Sequence, residues 1–219
     1  MSKFSKGSVW DELGFFMHTG KQVLLRLNAG AITWYERFFS LDNSVRAEYF
    51  RDIGIKYTKQ GRYVQALSVL EGVVEAYPAD DEAAFHLAFC YLKLEKPLAA
   101  IEILERLYAK DTQDGKVSSI LGMAYIQTKN YEEAVGVLSA ACEQMPDNFN
   151  LNYRLGVALD NLERYEEAVE AFQRAMKIRP EEPRVYRAQG FSLEQLGKHD
   201  QAVQLFKHAA QLEDKQQVG

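Results

Sequence analysis

The residues in this 219-residue chain that could do chemistry are few and scattered. None of its four histidines, His18, His86, His199 and His208, forms a close ligand pair with another histidine or with Cys90 or Cys142. A metal site needs His, Cys or carboxylate donors at short spacings that let them converge, so neither a metal nor a cofactor is expected. Gly197-Lys198 lacks the flanking glycines of a phosphate-cradling loop and reads as a turn between helices. Acidic pairs remain as acid–base candidates: Asp80/Asp81, Glu132/Glu133, Glu166/Glu167 and Glu181/Glu182. Each falls at an expected helix start, where carboxylates complement the helix dipole. No nucleophile–base–orienter set emerges, and the expectation is a chain that binds and does not catalyse.

Composition narrows what it could bind. The net charge of −5 gives no support to a general nucleic-acid binder. The charge is uneven: residues 1–46 carry six basic and four acidic residues, a net of +2, and the remainder carries a net of −7. A weakly basic arm thus leads into an acidic body, although attraction of this size is screened by physiological salt. The two cysteines read as packed thiols of a reducing compartment. No apolar run reaches the eighteen or so residues of a membrane span, and Asp11 and Glu12 interrupt any signal-like stretch. A cytoplasmic protein without membrane insertion is expected.

The elements that must position binding residues follow from a strict repeat. Gly54, Ala88, Gly122, Gly156 and Gly190 are thirty-four residues apart. So are Ala66, Ala100, Ala134, Ala168 and Ala202, and so are Leu70, Leu104, Leu138, Phe172 and Phe206. Pro78, Thr112, Pro146, Pro180 and Asp214 form a fourth series. This period resembles the tetratricopeptide repeat (TPR), a helix–turn–helix unit. Five repeats fit without insertion: 47–80, 81–114, 115–148, 149–182 and 183–216. The small residues at repeat positions 8 and 20 let two helices approach, and the large residue at position 24 fills the space between them. Position 32 is read as the end of the second helix. Pro97 should start the second helix of repeat two, where proline is tolerated.

Residues 1–46 fit the period poorly yet have helical spacing. They hold Trp10, Phe15, Phe16, Trp34, Tyr35, Phe38 and Phe39, too aromatic for a disordered tail. The segment reads either as a divergent capping repeat or as an arm that docks in another chain, with Trp10, Phe15 and Phe16 as its assembly residues. One segment could do both.

In a TPR array the first helix of each repeat lines the concave face. Position 9 reads Ile55, Phe89, Met123, Val157 and Phe191, and position 5 reads Arg51, Phe85, Ser119, Tyr153 and Arg187. This describes an apolar stripe with arginines toward its ends, suited to an amphipathic helix or apolar peptide. Position 9 could instead pack partly against the adjacent repeat. A clamp for a chaperone's acidic tail requires asparagines where this chain has Ile55 and His86, and is not expected. Arg51 should reach Asp80, Asp81 or Glu82 at the first joint, and could set the angle there.

Three stretches resemble the MamA family of magnetosome-associated TPR proteins: YFRDIG at 49–54, GRY at 61–63 and NFNLNYRLGVALDNL at 148–162. The likeness covers roughly residues 45–215 and includes Asp160 and Asn161, which are read as groove residues without a packing role. The resemblance implies an all-α, right-handed, hook-like TPR superhelix with a divergent helical N-terminal segment. It also implies a cytoplasmic, non-enzymatic scaffold, peripheral on magnetosome vesicles, that forms homo-oligomers by docking its N-terminal segment in a neighbour's groove. The convex face would then meet magnetosome membrane proteins. The alternative is a monomeric adaptor or chaperone that binds an apolar peptide.

Overall fold

The thirty-four-residue period becomes helix pairs because each repeat carries its own stop signal between two apolar-periodic segments. A computed structural model describes residues 13–20 and 43–218. Among these residues there are helices and turns and no strand. Beyond a helical stretch at 13–20, the order is α1 (Asn43–Lys59), α2 (Tyr63–Ala76), α3 (Asp81–Lys93), α4 (Pro97–Lys110), α5 (Gly115–Gln127), α6 (Tyr131–Gln144), α7 (Phe149–Asn161), α8 (Tyr165–Ile178), α9 (Pro183–Gln195) and α10 (His199–Val218). Odd-numbered helices are the first of each repeat and even-numbered helices the second. The chain divides into two compact units, Met1–Lys96 and Pro97–Gly219. The first contains α1 to α3 and the second α4 to α10.

The turn inside every repeat has one geometry. The residue at position 15 has positive φ in all five: Gly61 (74°), Glu95 (59°), Lys129 (63°), Glu163 (59°) and Gly197 (72°). Its N–H donates to the carbonyl three residues back, as Glu163 does to Asp160 at 3.0 Å. The next N–H donates five residues back, as Arg164 does to Leu159 at 2.9 Å. This is the Schellman cap, which satisfies carbonyls that the helix end leaves open. Only two of the five residues held there are glycines.

The small-to-large pairing expected within each repeat is present wherever both residues lie in one unit. A Cβ placed on Gly54, Gly122, Gly156 or Gly190 would lie 2.5–2.6 Å from Leu70, Leu138, Phe172 and Phe206 respectively. In these four repeats a methyl group there would force the position 24 side chain to shift, whereas repeat two carries Ala88 at the same position. Pro97 opens α4 as expected, and α2, α4, α6 and α8 end before position 32. The fifth repeat departs from the expectation that position 32 terminates the second helix: α10 runs through Asp214 to Val218. It lacks the proline that closes three of the other repeats.

First helices begin on position 34. The Asp80 carboxylate accepts from Ala83 N–H at 3.0 Å, Asp114 from Lys116 N–H at 2.8 Å, and Asn148 from Asn150 N–H at 3.0 Å. These are N-caps, each contributing about 1 kcal/mol. Glu182 makes no such bond, and Pro183 follows it at the first helical position, where a missing N–H is tolerated. Glu132/Glu133 and Glu166/Glu167 stand in the first turns of α6 and α8, in keeping with their reading as helix-start residues.

Two stability changes follow. Glycine in place of Glu163 relieves a left-handed residue that strains an L-amino acid by roughly 1–2 kcal/mol, offset by glycine's greater freedom when unfolded. Thermal denaturation should rise by about 2 °C for Glu163→Gly and fall for Gly61→Val; no change in either would refute the strain. Gln189 stands where repeats two to four have leucine, is buried, and its Oε1 has no hydrogen-bond partner. Gln189→Leu should stabilise the protein by about 1 kcal/mol in urea titration. A destabilised variant would show that the amide is paired after all.

Candidate interaction surface

In the first unit, the candidate residues lie on α1 and α3. Arg51 reaches Asp80 at 3.7 Å and also approaches Asp52 at 3.4 Å and Glu48 at 3.9 Å. The expected pairing with Asp80 is therefore present, as one member of a local acidic cluster. Ile55 is only 8% exposed and borders a depression of about 520 Å³ that Asp52, Lys56, Lys59, Gln60 and Glu82 also line. Phe85 and Phe89 are half-buried. The Phe89 ring lies 6.1 Å from Tyr63 and beneath the Lys93 ammonium at 5.4 Å.

The second unit places α5, α7 and α9 side by side, with α7 packed against both neighbours. Position 9 is not uniformly open. Met123 is half-buried, with Nη2 of Arg154 3.4 Å from its sulfur. Val157 is half-buried and Phe191 is 59% exposed. At Met123 the cause is mechanical, because Arg154, at position 6 of the following repeat, lies against it. Phe191 rests against Phe206 at 5.1 Å. Arg187 is an exposed neighbour that pairs with Glu213.

Asp160 corrects the sequence reading. It has a structural role, because the Ser192 hydroxyl of the next repeat donates to its Oδ1. The same two repeat positions meet in the first unit, where Thr58 Oγ1 lies 3.3 Å from Cys90 Sγ. Position 12 thus reaches position 10 of the following repeat. Asn161 is exposed, and its side chain donates to the Val157 carbonyl at 2.8 Å.

The N-terminal candidates divide. Trp10 lies outside the described residues. Phe15 is 1% exposed, with its ring 5.4 Å from Tyr49 and 5.9 Å from Phe50, and the Arg46 guanidinium 5.4 Å from its centroid. It is an internal anchor that fixes segment 13–20 on α1, and this corrects its reading as a residue free for assembly. Phe16, beside it, is 60% exposed, and Met17 is 72% exposed. With Leu13, also exposed, they sit at helical positions i, i+3 and i+4, one apolar stripe that is exposed among the described residues.

Two features escaped sequence reasoning. The first is a pair of tyrosines that pin adjacent repeats. Tyr91 OH donates to Glu71 at 3.0 Å, and Tyr125 OH donates to Glu105 at 2.6 Å. Each joins position 11 of one repeat to position 25 of the repeat before. The sequence carries the signal: where position 11 becomes leucine, at Leu159 and Leu193, the partner position holds Ser139 and Gln173. Burial, followed by the bond to Glu71 and its charge, pushes the Tyr91 phenol up to about 12; burial and Glu105 raise Tyr125 as well.

The second is a cationic cluster on α7 and α9. Arg154 is half-buried. Its Nη1 donates to the Ser119 carbonyl at 3.0 Å and to the Ser119 hydroxyl. Burial, and then the like charge of Arg184, lower its guanidinium to about 10, so it remains a cation at neutral pH. Arg184 lies 5.2 Å over the Phe149 ring and 5.0 Å over Tyr153, and these two rings stack at 5.9 Å.

The thiols have no special reactivity. Burial raises both, the Thr58 contact partly opposing it at Cys90, and Cys142 stands at about 11 with Arg174 partly opposing. Neither is the thiolate that nucleophilic chemistry needs. Among the described residues no three or more His, Cys, Asp or Glu side chains converge as metal donors.

The tetratricopeptide repeat model matches residues 57–124, 92–143 and 125–190, and a second repeat model matches 183–216. Magnetosome protein MamA of Magnetospirillum gryphiswaldense is 39% identical over 77 residues, 35% of this chain and 36% of that protein. MamA of Paramagnetospirillum magneticum is 39% identical over 79 residues, 36% of each. The alignment thus spans little more than a third of the curated relatives. Solved structures extend the likeness. MamA MSR-1 superimposes with a TM-score of 0.69 at 42% identity, covering 78% of this chain and 99% of that one. MamA AMB-1 gives 0.70 at 43% identity, covering 76% and 99%.

The tyrosine pins predict an alkaline signature. A phenol whose folded pKa is raised above the ordinary value near 10 contributes stability that is complete below pH 10. That contribution is lost as pH rises through about 12. Tyr91→Phe should weaken the fold by about 1 kcal/mol at neutral pH, and its deficit against wild type should shrink between pH 10 and 12. A constant deficit in chemical denaturation across that range would show that the hydroxyl bond contributes nothing.

Proposed function

The chain belongs to the tetratricopeptide-repeat family and, within it, to the MamA proteins, and on that premise we propose that it is a non-enzymatic scaffold of the magnetosome surface. It self-associates by laying its N-terminal arm, residues 1–46, on the first-helix face of the five repeats at 47–216 in a neighbouring copy. The observation that carries this reading is the stripe of Leu13, Phe16 and Met17, exposed on a segment that Phe15 holds in place. An anchored apolar stripe that is exposed among the described residues suits a docking element. The receiving face offers Met123, Val157 and Phe191, with Arg187 and Tyr153 beside them, and the equivalent positions Arg51, Ile55, Phe85 and Phe89 in the first unit.

Arm-on-groove contact is heterologous, because the two surfaces differ, and contacts of this kind propagate. The net charges of arm and body have opposite signs, which favours the encounter at low salt. No helix among the described residues is long and apolar enough to cross a membrane; the proposed attachment is through magnetosome membrane proteins. The second reading, a monomeric adaptor for an apolar peptide, draws on the exposed Phe191 and needs no arm.

Phe15 must be left intact in the test, since removing it would empty a packed site. Phe16→Glu with Met17→Glu should reduce a large assembly to monomers or small oligomers in size-exclusion chromatography with light scattering, with unchanged helical circular dichroism. A fully assembled double variant defeats arm docking, and a monomeric wild type favours the adaptor.

A further inference from the structure

We propose that Arg154 and Arg184, set against the Phe149–Tyr153 ring stack, form a receiving site for the carboxylate of an acidic side chain on a docked helical segment. The inference rests on the reading of this face as one that receives an amphipathic helix, and it adds the polar group that such a helix must carry.

The starting point is a cation without a counter-charge. The contacts of Arg154 are the Ser119 carbonyl, the Ser119 hydroxyl and the Met123 sulfur, all neutral. Its charged neighbour is Arg184, of the same sign. Glu182 lies 3.2 Å from Arg184 and can balance one of the two guanidinium groups, leaving a surplus positive charge in a half-buried place. Taking a cation out of water beside another is unfavourable unless a partner compensates for it. Packing alone would be served as well by an apolar side chain over Met123.

The geometry suits a carboxylate. Arg184 lies over the aromatic faces of Phe149 and Tyr153, a cation–π arrangement that fixes the plane of the group. A guanidinium presents a rigid fork of donors that matches carboxylate oxygens in pairs. Arg154 is held from the opposite side by Ser119. Two pre-oriented forks of surplus charge, one of them partly desolvated, form a stronger anion receptor than mobile surface lysines would.

The same helix specifies the rest of the ligand. Arg184 and Phe191 are seven residues apart on α9, two turns along one face, or about 10 Å. A docked helix that satisfies both carries an Asp or Glu and, about two turns away on the same face, a large apolar residue. The carboxylate supplies register and the apolar residue supplies burial.

The test uses the full chain and two helix-forming, alanine-rich peptides. Each carries a Leu seven residues from either a Glu or a Gln on one face, and binding is followed by fluorescence anisotropy. The Glu peptide should bind wild type at least tenfold more tightly than the Gln peptide. Arg154→Met and Arg184→Gln should each abolish that preference, and Arg154→Met should melt no lower than wild type. Equal binding of both peptides, no binding of either, or a preference that survives both substitutions overturns the proposal. Self-association is measured separately without peptide. A monomeric wild type that still prefers Glu removes arm docking and keeps this site, whereas an assembling wild type without preference does the reverse.

Discussion

The repeat array depends on one contact, the close approach of the two helices of a repeat at a small residue, glycine in four repeats and Ala88 in the second. The side chain at position 24 lies so near the position 8 glycine that a Cβ would come within 2.5–2.6 Å of Leu70, Leu138, Phe172 or Phe206. Interiors are close-packed, so in these four repeats a methyl group would displace the position 24 side chain. Separating the pair to admit one would alter the crossing of the helices and the surface offered to the next repeat. Because each repeat buries its apolar face only against its neighbours, such a change is not diluted elsewhere. The Schellman turn enforces the same geometry from the chain side, at sufficient advantage that Glu95, Lys129 and Glu163 adopt positive φ to keep it.

Between repeats the fixing contacts are of another kind. They are polar, specific and different from joint to joint: Tyr91 on Glu71 and Tyr125 on Glu105, Thr58 by Cys90, Ser192 on Asp160, Arg154 on Ser119. Their geometric slots recur, since position 11 meets position 25 and position 12 meets position 10. The residues that fill them recur only in part: Tyr on Glu stands at two joints, and leucine replaces the tyrosine at Leu159 and Leu193. Apolar burial at these joints is not directional, whereas a hydroxyl on a carboxylate is, so the polar set selects how one repeat seats on the next.

This distinction explains what was legible in the sequence. Gly54, Leu70 and Ala66 recur with the period because the packing constraint is identical in every repeat, and the helix pairs could be read from it. Pro97 at a helix start follows from the missing N–H alone. Asp160 was misread because its partner, Ser192, lies thirty-two residues away, and only a fold brings them together. Phe15 and Phe16 are adjacent and chemically alike. One is internal and the other exposed because successive residues on a helix point about 100° apart, and nothing local says which faces Tyr49. Arg154 gave no signal, since an arginine on a first helix usually faces water. Its burial under the next repeat is visible only once α5, α7 and α9 stand together.

The uneven exposure of position 9 follows from the same architecture and bears on recognition. In the second unit Met123 lies beneath Arg154 of the following repeat, while Phe191 is exposed. A docked segment would therefore meet an apolar surface that opens toward Phe191 and, where α7 and α9 adjoin, a surplus of positive charge over an aromatic stack. These two determinants sit on rigid helices fixed by the glycine contacts and the polar pins, not on loops. Recognition on such a surface is governed by spacing: a segment engages both determinants only if its own apolar and acidic residues recur at the interval that the helix imposes. A periodic scaffold thereby gains a non-periodic binding preference from the few positions at which its repeats differ.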